Sequence, residues 1–231
     1  MSWLKRLALS ATILITAASG AWAAGNQVYI DQVGSSSNIS VTQTGSDNTL
    51  GSNTDPATMH GNSQSVTIAQ VGATNTFAYN VQGAGTTVNS TVTGNTNAVA
   101  IDCGSGNVNK ASACADSTIT ANVTGSNNAA TLNAGSKSTH DMEITGDRNT
   151  VTTNSITSNL LGAKSSTTVT GSDNTVNVSQ TGPGGSNGFD ATVTVTGSSN
   201  TVGVTQSGTV DSKVNLSTNG SNNTVSITQG N

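Results

Sequence analysis

Charged and aromatic side chains are scarce in this chain of 231 residues, at 8% and 3%. An ordinary globular domain carries about 25% charged residues. The formal net charge is −4 with only seven lysines and arginines, so no basic surface for nucleic acid is expected. Low hydrophobicity is typical of disordered chains, but disorder also needs a high net charge to keep the chain expanded. Disorder is therefore disfavoured, although it stays open as an alternative.

Long apolar runs are also missing, except at the start. The basic pair Lys5-Arg6 precedes an apolar run from Leu7 to Ala18, which ends in the small residues around Ala23. This order is typical of a secretory signal peptide and predicts that residues 1–23 are removed, leaving residues 24–231 as the exported domain. No later stretch approaches the roughly 20 apolar residues that cross a bilayer, so we expect a secreted protein without a membrane span.

Cysteine is limited to Cys103 and Cys114. In an oxidising compartment, two cysteines this close in sequence favour a local disulfide. The alternative is a metal site, which would need further ligands because the pair has no Cys-x-x-Cys spacing and no nearby histidine.

A repeated segment runs through the exported part. Its frame is Gly, two variable residues, Asn, then Thr or Ala and an alternating apolar run, as in Gly171-Ser172-Asp173-Asn174 followed by Val176 and Val178. The first unit is assigned to Gly34, although its Asn38 comes one position late. Eight glycines are thus predicted to begin the turns and to centre the coils: Gly34, Gly72, Gly94, Gly125, Gly146, Gly171, Gly197 and Gly220.

Alternation of apolar and polar residues flanks each of these turns and indicates half-buried strands. Gly and Asn accept positive φ at low cost, which suits a tight turn. A single unit of two short strands is not stable in water, but stacked units form one core. The sequence therefore predicts an all-β fold, a β-solenoid of about eight strand-turn-strand coils in two parallel, in-register sheets. Surplus residues should leave as loops near 51–61, 104–117, 158–163 and 183–188.

Stacking also aligns the amide side chains into hydrogen-bonded ladders, which satisfies groups that are costly to bury alone. The predicted ladder residues are Gln32, Gln43, Gln70, Gln180, Gln206, Gln229, Asn75, Asn97, Asn128, Asn149, Asn174, Asn200 and Asn223.

The repeat resembles the curlin repeat of bacterial curli fibres, Gln-x-Gly-x-x-Asn with a second Gln six residues after the Asn. Gln70 to Asn75 carries the first half, and the second half is found at Asn174 to Gln180, Asn200 to Gln206 and Asn223 to Gln229. Apolar residues replace the leading Gln in five units: Val92, Val123, Ile144, Val169 and Val195.

The resemblance covers nearly all of the exported part. It implies a functional amyloid that polymerises with itself in a biofilm matrix or at the cell surface. It further implies a nucleator subunit and an outer-membrane secretion pore as partners.

Head-to-tail polymerisation is also suggested by the residues themselves, because the first and last units show no obvious cap. The predicted polymerisation edges are Val28 and Ile30 at one end, and Val225 and Ile227 at the other. The charged unit with Asp141, Glu143, Asp147 and Arg148 is a candidate gatekeeper against premature aggregation.

No catalytic residue, metal ligand or cofactor is predicted, and we expect the chain not to be an enzyme. His60, in a predicted loop, and His140, at an inward strand position, lack acidic partners at ligand spacing. Asp141, Glu143 and Asp147 are the closest approach to the clustered carboxylates of a polysaccharide-cleaving β-helix. The glycine-rich turns are followed by no lysine and no helix, so they do not form phosphate-binding loops.

One alternative function remains from the outward positions. Threonine recurs there, for example at Thr192, Thr194 and Thr196. Such an array predicts a monomeric solenoid that binds ice, a surface or a polysaccharide. Threonine is also simply favoured on exposed strands.

Overall fold

The computed structural model describes residues 12–17, 25–103, 114–157, 163–182 and 188–230. These residues form strands, turns and irregular segments, with no helix among them, and hence none that could cross a membrane. All strand pairs are parallel.

Two long sheets carry the strands. Sheet A is ordered β1 (Thr12–Ala17), β4 (Asn38–Ser46), β7 (Ser65–Ala73), β9 (Thr87–Asn95), β11 (Thr118–Thr124), β13 (Thr139–Thr145), β15 (Ala163–Thr170), β17 (Phe189–Thr196) and β19 (Ser212–Asn219). Sheet B is ordered β2 (Gln27–Val28), β5 (Thr49–Leu50), β8 (Thr76–Gln82), β10 (Ala98–Cys103), β12 (Ala129–Ala134), β14 (Thr150–Thr157), β16 (Thr175–Gly182), β18 (Thr201–Ser207) and β20 (Thr224–Gln229). Two more strands belong to it, β3 (Ile30–Val33), which pairs with β6, and β6 (Ala57–His60), which also pairs with β8.

The chain alternates between the sheets, so that each strand pairs with the strand one coil later. Between β4 and β20 this gives eight pairs of strands, one pair per coil, and the chain winds about seven times around the solenoid axis. The predicted all-β solenoid with two parallel sheets is confirmed.

The core consists of the inward side chains of both sheets, stacked in columns. One column of sheet A carries, in neighbouring coils, Val88, Ile119 and His140. One column of sheet B carries Val151, Val176 and Val202. These side chains are buried, so the stacked columns form a mainly apolar core along the rod in place of a conventional globular core.

The turn from sheet A to sheet B has the same length in every coil, Gly-x-x-Asn. The third residue has positive φ although it is not glycine in any of these turns, as in Thr96 with φ 57°. The glycine must lack a side chain because it stacks on the next one: a Cβ on Gly72 would clash with the carbonyl oxygen of Gly94.

The assignment of Gly34 to this turn is wrong. Gly45 pairs with Gly72 and begins the first such turn, Gly45-Ser46-Asp47-Asn48. Gly34 lies in the opposite turn, from sheet B to sheet A, where a Cβ would meet the carbonyl oxygen of Gly61. The residues after Gly34 consequently belong to sheet A and not to sheet B.

The predicted loop at 51–61 is also partly wrong. Only 51–56 leave the sheet, and Ala57–His60 returns to it as β6, with Met59 fully buried. The other predicted loops fall largely on 104–113, 158–162 and 183–187, outside the described residues.

The predicted disulfide is confirmed. Cys103 at the end of β10 is bonded to Cys114, with Cα atoms 5.3 Å apart and both side chains fully buried. The bond joins sheet B to the turn that leads into β11.

Sheet A begins with β1, which pairs with Asn38–Gln43 of β4. This strand lies within residues 1–23, the segment predicted to be a signal peptide.

Candidate functional site

The asparagines at the end of each turn form a continuous ladder along the rod. In the second complete coil, Asn75 Nδ2 donates to Oδ1 of Asn48 at 3.0 Å and to the carbonyl oxygen of Gly94 at 2.7 Å. The backbone N–H of Asn97 donates to Asn75 Oδ1 at 3.0 Å. Each amide therefore links the coil before it to the coil after it, although the side chain is fully buried.

The ladder is directional. From Asn48 to Asn200, each Oδ1 accepts from the following coil, and each Nδ2 donates back to the preceding Oδ1 and forward to a glycine carbonyl. Its members, in order along the rod, are Asn26, Asn48, Asn75, Asn97, Asn128, Asn149, Asn174, Asn200 and Asn223.

Asn26 and Asn48 were missed by the sequence reasoning. Asn48 stands in a perfect copy of the repeat frame, Gly45-Ser46-Asp47-Asn48, and could have been found from it. Asn26 has no glycine three residues earlier, so only its position before Val28 and Ile30 could have pointed to it.

Five of the six predicted glutamines form two separate ladders. On sheet A, Gln43 Nε2 donates to Gln70 Oε1 at 2.8 Å. On sheet B, Gln180 Nε2 donates to Gln206 Oε1 at 2.9 Å, and Gln206 Nε2 donates to Gln229 Oε1 at 3.2 Å.

Gln32, predicted to belong to the same set, bonds no other glutamine in the described structure. Its Nε2 donates to the carbonyl oxygen of Gly34 at 3.2 Å.

The last coil is only half covered. Val225, Ile227 and Leu216 are half-buried, whereas Val202 and Val204, one coil earlier, are 1% exposed. Among the described residues no strand pairs with the outer edge of β19 or β20.

The first and last strands of sheet B carry the same inward residues. Asn26, Val28, Ile30 and Gln32 alternate at one end, and Asn223, Val225, Ile227 and Gln229 alternate at the other. Register pairing places both sets in equivalent columns, since Val28 aligns with Leu50 and Val225 aligns with Val202.

Backbone donors at both ends point away from the rod. The N–H groups of Gln27 and Tyr29 donate into the next coil, so those of Val28 and Ile30, which alternate with them, face the opposite side. At the other end, Thr201 N–H donates to Asn223, and the equivalent N–H of Thr224 faces outward from the last coil.

The two histidines lie far apart in sequence and have different surroundings. His60 is at the end of β6, not in a loop, and its Nε2 lies 3.4 Å from Oδ2 of Asp31. This corrects the expectation that it has no acidic partner. His140 is 1% exposed, inward as predicted, and burial lowers its pKa to about 4.

The charged side chains of the predicted gatekeeper unit lie on the surface. Asp141 and Glu143 are exposed on β13, while Arg148 forms a two-bond ion pair with Asp173 in the next coil, with Nε–Oδ1 at 2.7 Å. Hydrogen bonding to Arg148 lowers the pKa of Asp173. In the described part of the chain, no three acidic, histidine or cysteine side chains are grouped closely enough to hold a metal ion.

The outward threonines are in register over part of sheet A. The longest described column contains Thr93, Thr124, Thr145, Thr170 and Thr196. Neighbouring columns are interrupted by Asp141 and Glu143.

Comparison with known proteins gave no match to any protein-family model, any curated protein or any solved structure.

Proposed function

We propose that this chain is a secreted structural subunit that polymerises head to tail into extracellular, amyloid-like fibres. The observation that carries the proposal is the equivalence of the two terminal strands of sheet B, which repeat Asn-x-Val-x-Ile-x-Gln in matching columns. In sheet B, the first strand of a second copy placed beyond β20 would therefore meet β20 as β20 meets β18.

Joining two copies extends the ladders across the junction. Asn223 Oδ1 would accept from Asn26, and Gln229 would bond Gln32. The half-buried Val225 and Ile227 would be covered, and burial of apolar surface stabilises by roughly 25 cal/mol per Å².

The direction of the asparagine ladder supports head-to-tail joining only. A tail-to-tail contact would bring no Asn26 to the outward Oδ1 of Asn223, and buried unpaired polar groups cost about 1–3 kcal/mol each.

Both terminal strands of sheet B belong to residues 24–231, so sheet B keeps them after the leader is removed. Sheet A ends in β1, which lies in the predicted leader. Secretion, a nucleator subunit and an outer-membrane pore are part of the proposal through the resemblance to the curlin repeat, as is a role in a biofilm matrix.

Proline substitutions at the outward-facing donors test the proposal on the chain secreted by cells that express the full sequence. Val28→Pro and Ser226→Pro each remove an N–H that faces an open edge, while the ladder bonds inside the rod are kept. Electron microscopy should show filaments for the wild type and for Ser226→Ala, which keeps its N–H, and none for the two proline variants.

A second experiment mixes the Ser226→Pro variant with wild-type chain. Ser226→Pro retains an intact first strand, so a small fraction added to wild-type chain should bind growing ends and shorten the filaments. Filaments of wild-type length from Ser226→Pro alone would contradict the end-to-end contact.

The exposed threonine column from Thr93 to Thr196 supports a second candidate, a monomeric solenoid that binds ice, a surface or a polysaccharide. Under this candidate the secreted chain stays monomeric in sedimentation at all concentrations.

A further inference from the structure

A buried imidazole interrupts the apolar interior at the middle of the rod. His140 lies in β13 between Ile119 of β11 and Ser165 of β15, and neither of its ring nitrogens has a hydrogen-bond partner in the described structure. In other coils this column holds Ile39, Val66, Val88, Ile119, Ala191 and Val214.

Further polar groups near this point are also unpaired. The hydroxyl groups of Thr153 in β14 and Thr167 in β15 are buried without partners. An unpaired buried hydroxyl is costly, so these two coils gain less from burial than coils filled with valine and isoleucine.

Among the residues that the structure describes, none places an opposite charge beside an imidazolium at this site. The inward residues of its sheet neighbours are Ile119, Ala121, Ser165 and Thr167, and those of the facing strands β12, β14 and β16 are Leu132, Ala134, Thr153, Ser155, Val178 and Gln180. The titratable residues nearby, Asp141, Glu143 and Lys164, are exposed on the outer face of sheet A. A charge on His140 would therefore be buried and uncompensated.

We propose that the coil formed by β13 and β14 opens locally in acid. It opens when His140 takes up a proton, while the coils on either side of it stay folded. This inference concerns the single chain and does not depend on polymerisation.

The pH range follows from the two states. The pKa of His140 is about 4 in the folded rod and has its ordinary value of 6.5 when the coil is open. Since the open state binds the proton more tightly, opening is independent of pH above about 6.5, increases as the pH falls towards 4, and levels off below that. At pH 4.5 the opening constant should be raised on the order of 100-fold.

Hydrogen exchange measured by mass spectrometry on the full chain tests this inference, with rates corrected for the intrinsic effect of pH. Amides of β13 and β14 should lose protection on the order of 100-fold between pH 7.5 and 4.5 in the wild type. His140→Ile and His140→Val, which copy residues of the same column, should keep their protection. His60→Gln, at the exposed histidine, should behave as the wild type.

Two results would overturn the proposal. One is unchanged protection of β13 and β14 in the wild type at pH 4.5. The other is an equal loss in a folded His140 variant, which would assign the acid sensitivity to the surface carboxylates.

Discussion

Replacing one asparagine of the ladder should cost the rod far more than a single exposed polar contact. Asn128 is a good choice because it lies mid-rod and is 1% exposed. Its Nδ2 donates to Asn97 Oδ1 at 3.1 Å and to the Gly146 carbonyl at 2.7 Å. Its Oδ1 accepts from the N–H and Nδ2 of Asn149 at 2.9 and 3.1 Å.

Asn128→Ala removes these four bonds and leaves the buried N–H of Asn149 without its acceptor. At a net value of about 1 kcal/mol per bond, the free energy of unfolding should fall by about 4 kcal/mol. Asn128→Asp keeps the shape and the acceptor, but it places an oxygen against two acceptor oxygens.

The aspartate variant should consequently be less stable than Asn128→Ala near pH 7, where the new carboxyl must be buried as an ion or take up a proton. Burial raises the pKa of such a carboxyl, so the stability lost by the aspartate variant should become smaller as the pH is lowered. Urea denaturation followed by circular dichroism measures both effects.

Asn177 provides the matched control, because it is exposed on β16 between Thr152 and Gly203. Asn177→Asp and Asn177→Ala should change the free energy of unfolding by less than about 0.5 kcal/mol. Equal losses at Asn128 and Asn177 would refute the view that the ladder holds the coils together.

Two further substitutions should stabilise the chain. Tyr79→Phe removes a buried hydroxyl that has no partner and should raise the free energy of unfolding by about 1 kcal/mol in urea titration, while a loss would show that the hydroxyl is bonded. Thr96→Asn replaces an exposed β-branched residue at φ 57° by one that tolerates this conformation. It should raise the free energy of unfolding by about 1 kcal/mol and hence raise the melting temperature, whereas Thr124→Asn, on a regular strand, should change neither.

Much of the fold could be predicted from local pattern. Strict alternation around a fixed Gly-x-x-Asn turn specifies which side chains point inward, and stacking of equal units then specifies the partners. The asparagine ladder follows from the same two facts, because a residue at one position of every turn must meet its equivalents. The column that contains Val176 and Val202 is correctly predicted for this reason.

The errors arise where both turns of a coil look alike. Gly34 and Gly45 each precede polar residues and an alternating strand, so alternation alone does not tell which turn each belongs to. The asparagine at the fourth position is the distinguishing feature, and only Gly45 has it. The sequence predicts a loop at Ala57–His60 because a strand interrupted by six residues no longer shows a continuous period.

Contacts that do not follow from the repeat could not be predicted from the sequence. His60 meets Asp31 because β6 pairs with β3, and this pairing depends on how 51–56 leave the sheet. The half-burial of the terminal columns likewise appears only once the coils are counted in space.

The constant turn and its stacked glycines divide the rod into an edge that resists change and one that accepts it. Residues inserted into Gly-x-x-Asn would break both the glycine stack and the amide ladder. The return from sheet B to sheet A varies in length, and the segments 104–113, 158–162 and 183–187 all fall on that return. Peptide tags or binding sequences inserted in these segments would leave the glycine stack and the amide ladder uninterrupted, so they are the positions at which foreign sequences can be displayed.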